Sequence, residues 1–246
     1  MARYLLEVAY KGTHYAGFQR QQNAHTIQQV LEDALRIFYK RDLALTGSSR
    51  TDAGVHARQN FFHTDAEDLL ITSHHLYNLN ALLPQDVVVK TVRAIPHHFH
   101  CRFQALYRCY HYHLHSEKDP FLTDRSWFYP YPLDLEKLNA AASLLLRYED
   151  FTSFSKRNTQ AKTRLCNITA SMWQRQAGGW LYEVQANRFL RGMVRGLVGT
   201  MLLHGRGKIS LREFEDILLA KDCTKADFST PPHGLCLMEV GLPELH

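Results

Sequence analysis

Apolar and polar residues alternate from Arg3 to Tyr10, placing Tyr4, Leu6, Val8 and Tyr10 on one side. A two-residue period predicts a β-strand with one buried face. Gly12 to Asn23 is polar and rich in turn formers, so it reads as a loop. From Thr26 the period changes. Ile27, Val30, Leu31, Ala34, Leu35 and Phe38 share one helical stripe, and Thr26 with Gln29 makes a capping-box pattern at its start. A short strand is predicted around Leu43 to Thr46, another near Gln59 to Thr64, a helix from Ser73 to Leu83 that Pro84 stops, and a strand from Val87 to Val92. The first hundred residues therefore read β-α-β-β-α-β.

The second half has a similar grammar. A long strand is predicted from Leu106 to His115, a loop rich in proline and aromatics from Pro120 to Pro132, and a helix from Leu135 to Leu146. Two strands flank Gly178-Gly179, a hairpin signal. A helix from Phe189 to His204 follows. Ser210 and Glu213 cap a further helix with Leu211, Phe214, Ile217 and Leu218 inside, and Leu235 to Val240 closes as a strand. The pattern predicts an α+β fold of two α/β subdomains, residues 1–100 and 101–246. Each has a mainly antiparallel sheet with helices on one face, and no linker separates them, so they are expected to pack together. The halves repeat in element order, not residue by residue.

Composition narrows the class. The 246 residues are 45% apolar and 22% charged, ordinary values for a soluble globular protein. No run of eighteen apolar residues occurs, so no transmembrane helix is expected. The first residues lack a leader's apolar stretch and cleavage site. The five cysteines stand at 101, 109, 166, 223 and 236 without a Cys-x-x-Cys pair. An odd, scattered set argues against a disulfide framework and for a reducing, cytoplasmic setting. Lys and Arg number 29 against 24 Asp and Glu, a net +5. Ser155 to Arg164 holds Lys156, Arg157, Lys162 and Arg164, and Asn187 to Arg206 holds Arg188, Arg191, Arg195 and Arg206, with no acid in either. Either stretch alone reads as a solvated surface; together they point to a phosphate-contacting face.

Familiar cofactor motifs are missing: no phosphate loop, no Gly-x-Gly-x-x-Gly and no Gly-x-Ser-x-Gly. No cofactor is expected. His97, His98, His100 and Cys101 cluster, and Cys109, His111, His113 and His115 alternate along one strand face. Neither set has the paired spacing of a structural zinc site, so both read as strand-borne histidines on a solvated face and no metal is expected. The segment Gly47-Ser-Ser-Arg-Thr-Asp-Ala-Gly-Val-His56 is different. Gly47 and Gly54 bracket it and permit unusual backbone angles. Read alone, Asp52 is a turn aspartate making an Asx-type bond. Arg50, two residues away, would keep a carboxylate ionised, and an ionised, positioned carboxylate is what a nucleophile needs.

Seven ordered blocks resemble the tRNA pseudouridine synthase A family, and the resemblance covers nearly the whole chain. They are Tyr10 to Gln21, Gly47 to Ala57, Asn80 to Asp86, Phe99 to Ala105, Asp150 to Ser155, Phe189 to Gly199 and Pro231 to Leu237. The most specific is Arg-Thr-Asp-Ala-Gly-Val-His. The resemblance implies the pseudouridine synthase fold and an isomerase that converts uridine to pseudouridine at positions 38, 39 and 40 of the tRNA anticodon arm, without a cofactor. It implies Asp52 as nucleophile, with the target base taken out of its stack. By register the base-stacking tyrosine falls on Tyr110, where composition alone leaves Tyr107, Tyr110 and Tyr112 open. Arg195 matches the arginine that pairs with the aspartate, although read alone it is a surface helix cation. Leu235 matches an apolar residue lining the base pocket, although read alone it is a strand leucine. Arg50 would sit near the flipped nucleotide or contact phosphate. A homodimer with tRNA lying across both subunits is also implied.

The chain departs from the family pattern at three places. Two serines, Ser48 and Ser49, separate Gly47 from Arg50, where relatives commonly have one small residue or none. Gly196 stands where asparagine is expected after Arg195. Thr230 replaces a more usual alanine. Two other classes compete with the isomerase. A silent RNA-binding module would keep the basic face and make Asp52 dispensable. An unrelated carboxylate enzyme such as a hydrolase needs a second carboxylate or a metal near Asp52, and the loop contains neither.

Overall fold

The computed structural model describes residues 2–67, 69, 72–157 and 162–244. Two compact units divide the chain: Met1–Leu106 with Leu237–His246, and Tyr107–Cys236. The sequence pattern places the boundary at residue 100; the contacts place it after Leu106 and return the closing segment to the first unit. Among the described residues the elements are mixed α and β with mainly antiparallel pairing, an α+β fold. No helix among them is long and apolar enough to cross a membrane.

In the first unit, β1 (Ala2–Tyr10) lies between β3 (His56–Ala66) and β4 (Val87–Ile95), antiparallel to both. The expected face of Tyr4, Leu6, Val8 and Tyr10 is buried, and so is Leu5 on the opposite face, where Arg3, Glu7 and Ala9 are half-buried. The final strand, β9 (Leu235–Gly241), continues the order β4-β1-β3-β9. Helix α1 (Ile27–Tyr39) starts where Thr26 Oγ1 accepts the Gln29 N–H, and buries Ile27, Leu31, Ala34 and Leu35. Its other side chains explain one error of the pattern. Leu43 and Leu45 are buried, yet β2 is only Thr46–Gly47. The Leu45 N–H donates to Glu32 Oε1 at 3.0 Å and its carbonyl accepts from Gln28 Nε2 at 2.9 Å, so α1 takes the backbone groups that a strand partner would use. Helix α2 (Ser73–Ala81) ends two residues before the expected Leu83. Its last turn tightens to Leu82 N–H to Leu79 O and Leu83 N–H to Asn80 O ahead of Pro84, which disfavours helical backbone in the residue before it.

In the second unit, β5 (Tyr107–His115), β8 (Gly179–Ala186) and β7 (Ile168–Gln176) form an antiparallel set in the order β5-β8-β7. Gly178, at φ 76°, makes the hairpin between β7 and β8. Two residues of the expected aromatic loop form β6 (Trp127–Phe128), parallel to β5. Helix α3 (Leu135–Leu144) passes into a 3-10 turn, α4 is Met193–Gly205, and α5 (Leu211–Leu219) opens on a full capping box between Ser210 and Glu213. Helix α3 packs on β7 and α4. The core holds Trp173 stacked on Tyr182, with Phe151, Phe154 and Phe214.

The expected helix start at Phe189 is four residues early. Gly192 takes φ 73°, a left-handed backbone that α-helix does not contain, and α4 begins after it. Phe189 is thereby left outside the helix.

Candidate active site

The first unit positions Asp52 by fixing its neighbours. Strand β2 pairs with β3 through Thr46 with His63 and Gly47 with Phe62, so the loop leaves the sheet at Ser48. Ser48, Ser49, Thr51 and Val55 are buried, Arg50 is exposed and Asp52 is half-buried. The loop is hooked to the earlier segment of Tyr10 to Gln21 at several points. Phe18 N–H donates to Thr51 O at 3.1 Å, Gly54 N–H donates to Tyr15 O at 3.3 Å, and the Tyr10 hydroxyl lies 2.9 Å from Thr51 Oγ1. Val55 N–H returns to Asp52 O at 3.1 Å and closes the turn. No hydrogen bond or ion pair from the described residues of its unit engages the Asp52 carboxylate. In particular, Arg50 and Asp52 form no ion pair with each other.

The two bracketing glycines differ in role. Gly54 does adopt φ 77°, as its place in the turn requires. Gly47 has no such backbone. A Cβ there would come within 1.9 Å of the Phe18 ring, so close approach is what the position needs. Gly17, at φ 98°, is a third glycine of the site, with Thr51 O 3.1 Å and Ala53 N 3.2 Å from where its Cβ would be.

Other family-like blocks support the same loops. The Tyr15 hydroxyl donates to Asp86 Oδ1 at 2.6 Å, and burial together with that carboxylate pushes its pKa far up. Lys11 N–H donates to Asp86 O, and His56 Nδ1 accepts the Gly12 N–H at 3.0 Å.

The second unit carries Tyr110, Arg195 and Leu235. Alternation along β5 puts Tyr110 and Tyr112 on one face and Tyr107 on the other. Tyr112 is wholly buried and donates to Pro231 O at 2.8 Å; burial drives its pKa far up. Tyr110 keeps 8% of its surface exposed, and its ring meets Phe189 edge-on at 5.2 Å. Phe189 is an aromatic neighbour of Tyr110 that the expected helix start concealed. Arg195, half-buried in the first turn of α4, donates from Nε to Thr230 O at 2.6 Å. Leu235 opens β9 directly after the 3-10 turn Pro232–Gly234, whose glycine packs on the Tyr112 ring.

The two acid-free stretches meet in this unit. Lys156 N–H donates to Arg191 O at 3.0 Å, and Arg188 Nη1 to Thr163 Oγ1 at 3.4 Å. Asn158 to Ala161 of the first stretch lie outside the described residues. Arg206 is engaged otherwise, with its guanidinium 3.8 Å over the Tyr131 ring.

Of the histidine sets, His100 and Cys101 are drawn into contacts with His63. Cys109 and His111 meet Glu183, their ligand atoms all within 4.8 Å, which is the one group of this kind among the described residues. Its histidine and glutamate already face each other at 3.2 Å. Glu183 comes from β8 opposite His111, a pairing that only the register discloses.

A family model described as tRNA pseudouridine synthase matches residues 7–104 and 141–243, which takes in the Asp52 loop, Arg195 and Leu235. The chain belongs to the tRNA pseudouridine synthase family. Within that family it is 42% identical over 251 residues to a tRNA pseudouridine synthase A of Porphyromonas gingivalis, covering 99% of this chain and 98% of the relative. It is 42% identical to the one of Bacteroides thetaiotaomicron, covering 99% and 92%, and 35% identical to one of Staphylococcus aureus, covering 98% and 92%.

Proposed function

We propose that this family member isomerises uridine to pseudouridine at positions 38, 39 and 40 of the tRNA anticodon stem-loop, with Asp52 as the nucleophile. Its membership makes it an isomerase of tRNA uridines. The observation that carries the residue assignment is the state of the Asp52 loop. Thr51, Gly54 and Val55 are fixed by hydrogen bonds around a carboxylate that its own unit leaves uncommitted. A nucleophile must be held and must also keep its lone pairs available.

The target base leaves its stack to reach the carboxylate. The bond between N1 and C1′ breaks, the uracil turns, C5 bonds to C1′, and the C5 proton is lost while N1 regains one. Tyr110 supplies a ring face for the extruded base, Leu235 an apolar wall, Arg195 the countercharge to Asp52, and Arg50 a contact to the flipped nucleotide or its phosphate. Base stacking of this kind contributes ~1–3 kcal/mol in single-strand binders. The joined basic stretches suit a polyanionic substrate. The working form is proposed to be a cytoplasmic homodimer with tRNA lying across both subunits; light scattering of the purified chain tests the dimer.

Tritium at uridine C5 reports the reaction directly. The wild-type chain should release label from such a tRNA, and Asp52→Asn should release none while still binding the tRNA. Release by the variant would sink the nucleophile assignment.

A further inference from the structure

Asn60 is fully buried on β3, in a strand where an amide is an unfavourable choice, and it is saturated with hydrogen bonds. A carboxamide offers two N–H donors and two acceptor lone pairs. Nδ2 donates to Ser49 O at 2.9 Å and to the Tyr10 hydroxyl at 3.1 Å. Oδ1 accepts from Ser48 Oγ at 2.7 Å and from Phe61 N–H at 3.0 Å. Having accepted from Asn60, the Tyr10 hydroxyl has its own proton to give to Thr51 Oγ1, 2.9 Å away. One buried amide therefore grips Ser48 and Ser49 directly and Thr51 through Tyr10. Arg50, the residue between them, is the exposed one.

Both serines between Gly47 and Arg50 are bonded to Asn60. We propose that Asn60 is a positioning residue for the isomerisation, with Tyr10 as its relay. Together they set the direction of the Asp52 carboxylate by fixing the three loop residues on its N-terminal side that do not face solvent. The inference rests on the reading of Asp52 as nucleophile. Buried amide networks are stiff because any broken member leaves an unpaired polar group in a low-dielectric site. A displacement of about 1 Å at a reacting group costs on the order of 100-fold in rate. Rate, not substrate affinity, is therefore the quantity that Asn60 controls.

The test uses the full chain and tRNA labelled with tritium at uridine C5. Single-turnover release and tRNA affinity are measured for Asn60→Ala, Tyr10→Phe and Asp52→Asn, at a temperature well below the unfolding midpoint of each variant. Asn60→Ala should slow release ~10–100-fold with affinity nearly unchanged, and Tyr10→Phe should slow it less, about 3–10-fold. A purely structural role would lower the unfolding midpoint and leave the rate of the folded enzyme alone. Wild-type rates in both folded variants, with Asp52→Asn silent, overturn this inference and spare the nucleophile. If Asn60→Ala does not fold, the rate of Tyr10→Phe decides. Release by Asp52→Asn overturns the nucleophile and this inference with it.

Discussion

Arg195 and Thr230 hold each other by two hydrogen bonds that run in opposite directions. Arg195 Nε donates to the Thr230 carbonyl at 2.6 Å, and the Thr230 hydroxyl donates to the Arg195 carbonyl at 2.7 Å. An alanine at position 230, the residue expected from the family resemblance, could not make the second bond. Thr230→Val keeps the shape and removes the hydroxyl. It should cost about 1 kcal/mol in urea unfolding, the usual net worth of one hydrogen bond. It should also slow turnover less than Arg195→Ala does. Unfolding at the wild-type urea midpoint would mean that the hydroxyl bond is idle.

Gly199 lets α4 approach the segment that carries Thr230. A Cβ there would lie 2.4 Å from Asp227 O, a backbone atom that cannot rotate aside, and 2.9 Å from Thr230 Oγ1. Gly199→Ala gains about 1 kcal/mol of helix propensity and still should destabilise by roughly 1–3 kcal/mol through overpacking. Turnover should fall with it, because Thr230 and its bond to Arg195 are displaced. A thermal unfolding midpoint at or above that of the wild type would show that the segment yields freely.

Tyr110 and Tyr112 share a face of β5 but should separate in function. Tyr110→Ala is expected to lose turnover more than tRNA affinity. Tyr112→Phe removes the donor to Pro231 O and should lower stability by about 1 kcal/mol with little effect on turnover. The reverse pattern, read from kinetics and unfolding on the same preparations, would move the stacking role to Tyr112; unchanged turnover in both would move it to Tyr107.

His63 makes stability depend on acidity. Burial, then the nearby Arg3 and His100, lower its pKa from 6.5 to about 4. The unfolded chain binds a proton there as pH drops below its ordinary value, while the folded chain does not until near the lowered one. The stability it contributes is therefore full above pH 6.5 and lost progressively towards pH 4. His63→Gln should flatten the decline of the unfolding midpoint across that window. Parallel curves for the two proteins would contradict this.

Much of the fold was legible because its signals are local. The alternation of β1, the stripe and cap of α1, the glycine hairpin between β7 and β8 and the capping box of α5 all lie within a few residues of what they determine. The errors lie where something other than the local period decides. Leu43 to Leu45 has strand character, but Glu32 and Gln28 take the backbone of Leu45. Phe189 to Gly192 fits a helical period, but Gly192 is left-handed. The same divide runs through the site. The Asp52 loop is readable as a motif; the roles proposed for Arg195 and Leu235 come from their register in family-like blocks, and that proposed for Tyr110 from counting on past the block that ends at Ala105. Asn60 is not, since an asparagine in a strand reads as a weak point until its four bonds are seen. The meeting of Cys109 and His111 with Glu183 depends on strand register in the same way.

Strand β9 borders β3, although nearly the whole second unit lies between them in sequence. During synthesis, β1, β3 and β4 emerge first, and at about 5–20 residues per second the partner for the open edge of β3 arrives on the order of ten seconds later. Through that interval the strand leading out of the Asp52 loop offers unpaired backbone groups to any neighbouring chain. The nascent protein is thus most prone to misassembly at the border of the Asp52 loop, and β9, translated after nearly all of the second unit, is the strand that closes it.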